Sequence, residues 1–178
     1  MLETDRLLLR PFTLDDAPRV FELASVPEVA ATSLNIPHPY PESLAADWIG
    51  KHPAEAKKGM HVLAITRKTD SLLLGGISLG ITHRHHRAEL GYWLGLPYWN
   101  QGYATEAVRR MIAWGFTEHK LNRIFAQHFA CNPASGRVMQ KAGMTFEGVL
   151  RDCIQKDGVY HDTPMYSILR AEWVNSSP

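Results

Sequence analysis

"YWNQGYATEA", residues Tyr98 to Ala107, marks a change of period: an extended apolar run ends before it and a helical pattern begins inside it, with one glycine at the join. Upstream, "MHVLAIT" (Met60 to Thr66), "SLLLGGISLGI" (Ser71 to Ile81) and "AELGYWLGL" (Ala88 to Leu96) read as strands separated by the polar clusters "RKTD" and "THRHHR". Joins that short predict an antiparallel meander. Downstream, Ala104, Ala107, Val108, Met111, Ile112 and Phe116 form the apolar stripe of a long helix over Tyr103 to Glu118.

Working outward, "RLLLRPF" (Arg6 to Phe12) reads as a strand halted by proline, and "TLDDAPRVFELAS" as a helix with Thr13 at its N-cap. "NIPHPYP" (Asn35 to Pro41) carries proline too densely for helix or central strand and predicts a stiff surface loop. A short second helix follows from Glu42 to about Gly50. Arg123 to Ala130 reads as a strand, Pro133 to Ala142 as a helix, and Thr145 to Ile154 with Val159 to Leu169 as a hairpin around "KDG". With no repeat or composition break, residues 1–178 read as one α+β domain: a mostly antiparallel twisted sheet of about seven strands flanked by four helices.

Composition narrows the function. The 178 residues, 45% hydrophobic, suffice for one core, and a net charge of +1 supplies no field for steering toward nucleic acid or an anionic membrane. Any anion must be held locally. Cys131 and Cys153 make neither a CxxC pair nor a disulfide framework, which suits a reducing, cytoplasmic location. "MLETDRLLLRPF" has arginines inside its apolar run and does not read as a signal peptide, and no stretch reaches the ~20 apolar residues of a membrane span. The local anion site is the start of the Tyr103 helix, where the N–H groups of Gln101 to Thr105 have no partners within the helix and the dipole is positive. Gly102 and Ala104 keep that approach open. The chain lacks GxxxxGK[ST] and GxGxxG, so the usual ATP and NAD loops are absent.

The same segment resembles the pyrophosphate-binding motif of the GNAT superfamily of N-acetyltransferases, Q/R-x-x-G-x-G/A, laid over Trp99 to Ala104, with Trp99 where the pattern has Gln or Arg. In order, "TDRLLLRPFTLDDA", "AELGYWLG", "GYATEA", "NPASGRVMQKAGM", "FEGVLRD" and "YSILRAEW" are similar to the ribosomal-protein N-acetyltransferase (RimJ/RimL-type) group of that superfamily, over nearly the whole chain. The resemblance implies the GNAT fold and transfer of an acetyl group from acetyl-CoA, a co-substrate, to a primary amine such as a protein N-terminus, without a metal, by a monomer or homodimer. It implies a pyrophosphate on Gln101, Gly102, Tyr103, Ala104 and Thr105, pantetheine beside Leu94, Leu96 and Asn132, and Lys141 as one of several basic candidates for the 3′-phosphate, with Arg109, Arg110 and Arg137.

Acetyl transfer needs a still thioester, an unprotonated amine and a proton for the departing thiolate. Many superfamily members carry a tyrosine seven residues after the asparagine, and here that residue is Met139. The resemblance assigns Ser135 to the thiolate, although a serine there also serves helix starts. Glu89 is the base, directly or through a water, or else a solvated strand-edge carboxylate. Tyr40, Tyr92 and Trp93 wall the acceptor cleft, which the loop Ser25 to Pro41 shapes. Cys131 reads as a buried small hydrophobe, and the turn His83 to Arg87 as solvated at the cleft mouth, since it lacks carboxylate or cysteine partners at metal spacing. A polyamine or antibiotic acceptor, an acyl-CoA-binding protein without turnover, and an RNA-binding module using "HRHHR", against which the near-neutral charge counts, are the competing readings.

Overall fold

The computed structural model describes residues 1–176. One eight-stranded sheet forms the centre: β1 (Leu2–Glu3), β2 (Leu7–Pro11), β3 (Met60–Arg67), β4 (Leu73–Thr82), β5 (Arg87–Leu94), β6 (Arg123–Gln127), β7 (Thr145–Lys156) and β8 (Val159–Leu169). The strands lie in the order β1-β2-β3-β4-β5-β6-β8-β7, antiparallel throughout except where β5 meets β6. The meander is β3-β4-β5, and the hairpin turns at Asp157 and Gly158. The helices are α1 (Ala17–Ala24), α2 (Pro27–Ala31), α3 (Leu44–Ala56), α4 (Tyr103–Thr117), α5 (Pro133–Lys141) and α6 (Arg170–Ser176).

Burial divides the molecule into two layers on the sheet. Val108, Met111, Ile112 and Phe116 of α4 join Leu79, Leu90, Ile124 and Ile168 of the strands and Met139 of α5 in the larger core. Val20 of α1 and Ala45 and Ile49 of α3 meet Ala64 and Leu73 in a smaller core, packed with Phe12, Trp48 and Trp93. Burying apolar side chains on both faces is what makes a continuous sheet of this width worth more than its entropy cost.

Where the elements exceed the expected seven strands and four helices, packing outweighs local signals. β1 is two residues long, below any periodicity, and is held by pairing Leu2 with Leu9. α2 lies inside the expected loop; Pro27 at its first turn and Glu28 start it, and burial of Val29 and Ala30 holds it. α3 runs past Gly50 and through Pro53 because Ala45, Ile49 and His52 continue one buried stripe. α6 follows β8 directly, its Glu172 accepting the Leu169 N–H at 2.8 Å. Among the described residues no helix is long and apolar enough to cross a membrane.

Candidate active site

α4 begins without a side-chain cap, so the first N–H groups of the helix face outward with no partner from the chain's own side chains. Asn100 and Gly102, at φ 60° and 81°, turn the chain into it, and a Cβ on Gly102 would stand 3.3 Å from Arg6 Nη2. Arg6 reaches this loop from 95 residues away: Nη1 donates to Gln101 O at 3.1 Å, Nε to Glu106 Oε2 at 2.7 Å, and its guanidinium covers the Tyr103 ring at 4.5 Å. Burial alone would raise the Glu106 carboxyl, but hydrogen bonds from Thr4 and Arg6 outweigh it and hold the group below its ordinary value. "TDRLLLR" and "GYATEA" are therefore one contact. Trp99 donates Nε1 to Leu94 O at 2.8 Å, tying the loop to the end of β5.

α5 starts differently. Asn132 Oδ1 accepts the Ser135 N–H at 3.3 Å, so its cap is a side chain. Tyr92, from β5, brings its hydroxyl to 2.8 Å from Ser135 Oγ and donates to Ser135 O at 3.0 Å. Burial pushes the Tyr92 phenol well up, which keeps it protonated. A tyrosine hydroxyl thus stands beside Ser135 although the α5 position of the usual one is Met139, and it arrives from a different element.

β5 and β6 pair only over Arg87 to Glu89 with Arg123 to Phe125. Beyond Glu89 the two strands part, leaving Leu90 to Leu94 of β5 unpaired with β6 and a slit through the sheet. Regular pairing of β4 with β5 fixes the side-chain faces: Glu89, Gly91 and Trp93 point to the α1/α3 side, and Leu90, Tyr92 and Leu94 to the α4/α5 side. Glu89 accepts from Gln127 Nε2 at 3.3 Å. Glu89 and Ser135 therefore flank the slit from opposite faces of the sheet. One continuous cavity of about 880 Å³ spans both sides and is lined by Glu89, Tyr92, Ser135, Asn132, Gly102, Tyr103, Ala104 and Thr105 among others. In its wall, Gln127 Oε1, His128 Nε2 and Thr163 Oγ1 are buried polar atoms without partners, an arrangement that a polar ligand would complete.

Tyr40, Trp93, Leu94 and Lys141 also line the cavity, as do Asn35 and Ile36 of the proline-rich loop. Leu96 departs from the expected set, and Tyr92, expected in the acceptor wall, faces the α4/α5 side because the strand alternation turns it there. Leu96 is 37% exposed in a single turn of 3-10 helix, and the Gln101 side chain is turned away to Pro97 O at 2.7 Å. Arg109 donates to Lys141 O, closing the end of α5, and Arg110 to Glu3 O, so of the four basic candidates Arg137 and Lys141 face the cavity. Cys131 is exposed rather than buried, because it sits in the open turn before Asn132. His83 to His86 form an exposed turn that does not line the cavity, and among the described residues no group of three or more His, Cys, Asp or Glu is placed to hold a metal. Sequence reasoning missed Gln127, His128 and Thr163; single polar residues in or beside strands leave no spacing signal.

The family model described as "Acetyltransferase (GNAT) domain" matches residues 6–145. The uncharacterized N-acetyltransferase YoaA of Bacillus subtilis is 33% identical over 96% of this chain and 97% of its own. The putative ribosomal N-acetyltransferase YdaF of the same organism is 35% identical, but over 58% of this chain and 57% of its own. A crystal structure of a GNAT-family acetyltransferase from Bacillus anthracis superposes with a TM-score of 0.86, at 29% identity, covering 96% of this chain and 98% of that one. The chain belongs to the GNAT acetyltransferases. It is an acetyl-CoA-dependent acetyltransferase, and the open helix start, the unpaired edge of β5 and the orphaned polar atoms fit that co-substrate.

Proposed function

We propose that residues 1–178 form a single N-acetyltransferase domain that acetylates the N-terminal α-amino group of a protein, in the manner of the ribosomal-protein type. The observation that carries the reading is the pair Glu89 and Ser135 on opposite sides of the β5–β6 slit. The amine approaches from the α1/α3 side and gives its proton to Glu89, directly or through a water. Its nitrogen forms the new C–N bond to the acetyl carbon while the C–S bond breaks. With the Tyr92 phenol turned to donate to Ser135 Oγ, the serine proton is free to hydrogen-bond the departing thiolate on the other side, and the proton lost by the amine balances the one the thiol gains.

An α-amino group, with an ordinary pKa of about 8 against about 10.4 for lysine, needs little help from a base at neutral pH. The resemblance to YdaF over part of the chain supports a ribosomal acceptor. The test is CoA release from acetyl-CoA with peptides whose α-amine is free, formyl-blocked, or blocked with a free lysine. Turnover confined to the free α-amine is expected; equal turnover of the blocked lysine peptide would refute the acceptor assignment.

A further inference from the structure

The α1/α3 side of the slit has a floor, walls and a roof, and each narrows what can lie there. The floor is sheet surface nearly free of side chains: Gly76, Ser78 and Gly80 of β4 pair with Trp93, Gly91 and Glu89 of β5. Trp93 covers Gly76, whose added Cβ would meet Nε1 at 2.8 Å, and Met60 covers Gly80, whose Cβ would meet Met60 Cε at 2.9 Å. Between those two lids the surface at Ser78 and Gly91 is bare, bounded by the Glu89 carboxylate at one end. Two backbone strands carrying only a hydroxymethyl group and a hydrogen make a flat shelf.

The walls are Tyr40, Leu44, Trp48 and Val62, with Phe129 across the slit, all apolar or aromatic. Trp48 stands edge-on to Phe12 at 5.0 Å, so its ring is fixed before any ligand arrives. The roof is the segment after α2, and Lys156 from the end of β7 holds it: its Nζ donates to Ala30 O, to Ser33 O at 2.5 Å and to Ile36 O at 3.1 Å. Charge points the same way. Among the described residues the carboxylates lining the cavity are Glu55 and Glu89. A polyamine or aminoglycoside brings more ammonium groups than these two carboxylates pair, and apolar walls do not offset the cost of the rest.

We propose that the acceptor is a singly charged primary amine carried on a flat apolar group, aromatic in size, which lies on the Ser78–Gly91 shelf against Trp48 and Trp93 with its nitrogen at Glu89. The proposal rests on the acetyl-transfer reading and adds the chemistry of the acceptor. The group is supplied either by an aromatic first residue of a peptide or by a free arylalkylamine.

The test is a steady-state comparison, by CoA release, of 2-phenylethylamine, a peptide starting with Phe, a peptide starting with Ala, spermidine and kanamycin, with acetyl-CoA affinity measured separately by calorimetry. Values of kcat/KM for one or both aromatic acceptors roughly tenfold or more above the others are expected. Whichever aromatic acceptor leads identifies the source. Ser78→Val, which builds on the shelf away from the cofactor side, raises KM for the leading acceptor at least as much and leaves acetyl-CoA affinity within twofold; Trp48→Leu gives a second, independent loss. Preference for spermidine, kanamycin or the Ala peptide, or a Ser78→Val enzyme with unchanged KM, overturns the acceptor class while the acetyltransferase reading stands. Failure to bind acetyl-CoA at all would overturn both.

Discussion

The two faces of the slit beside β5 are built from different kinds of chain. On the α4/α5 side the groups proposed to hold acetyl-CoA come from two short contiguous segments at helix starts, Gln101 to Thr105 and Asn132 to Ser135. On the α1/α3 side the surface is assembled from scattered side chains of α1, α3, β3, β4, β5 and β6 and from the loop after α2. A ligand part that every relative shares can be held by a helix start, whose geometry any sequence reproduces with a glycine. A ligand part that differs between relatives is read by dispersed side chains, which can change one at a time.

The sharpest way to break this comparison is to close the backbone site. Gly102→Val puts a β-branched residue at φ 81° with its Cβ beside Arg6, where the conformation alone costs about 1–3 kcal/mol. Acetyl-CoA affinity should fall roughly 100-fold, with Tm lowered by a few degrees by the strain and the amine KM extrapolated to saturating acetyl-CoA changed far less; calorimetry that finds normal affinity would show that α4 does not hold the pyrophosphate.

A smaller effect tests the join between the faces. Tyr92→Phe removes the hydroxyl beside Ser135 and nothing from the Glu89 side. It should lower kcat by about tenfold, the worth of one buried hydrogen bond, while KM for the amine stays put. An unchanged kcat would leave Tyr92 as wall alone.

The smallest effect lies outside the site, in the core under the acceptor side. His52 is 9% exposed, edge-on to Trp48 at 4.5 Å, and neither ring nitrogen has a partner. Burial lowers its pKa, with Glu55 opposing weakly. Since the folded value lies below the unfolded one of about 6.5, the unfolded chain takes the proton first. The stability tied to neutral His52 is present above that pH and drains away as pH falls below it. His52→Phe should flatten this acid-side loss and raise Tm by about 2–4 °C at pH 5.5, with little change at pH 8; an equal gain at both values would mean simple packing.

These differences also explain what could be read before the fold was known. The change of period at Gly102, the helix stripe after it and the meander before it are local patterns, and all three stand in the structure. Motifs point to Glu89, Asn132 and Ser135, and the fold brings them to one cavity with Lys141, one of four basic candidates. Leu96 is suggested by adjacency to the strand alone and lies partly exposed in the turn after β5. The partnership of Tyr92 with Ser135 spans 43 residues, that of Arg6 with Glu106 spans 100, and the Lys156 clasp more than 120, so none leaves a spacing to read. The bare shelf was visible as "GGISLG" yet meaningless until pairing set Ser78 opposite Gly91.

The central claim is that Glu89 and Ser135 serve opposite ends of one reaction across the slit. Its most direct test is CoA release by Glu89→Gln and Ser135→Ala under saturating acetyl-CoA, with the affinity of each variant for acetyl-CoA measured in parallel. The account predicts that both bind acetyl-CoA within about threefold of the unaltered protein, with kcat at neutral pH reduced about tenfold or more in each. Either variant turning over at the unaltered rate would contradict it.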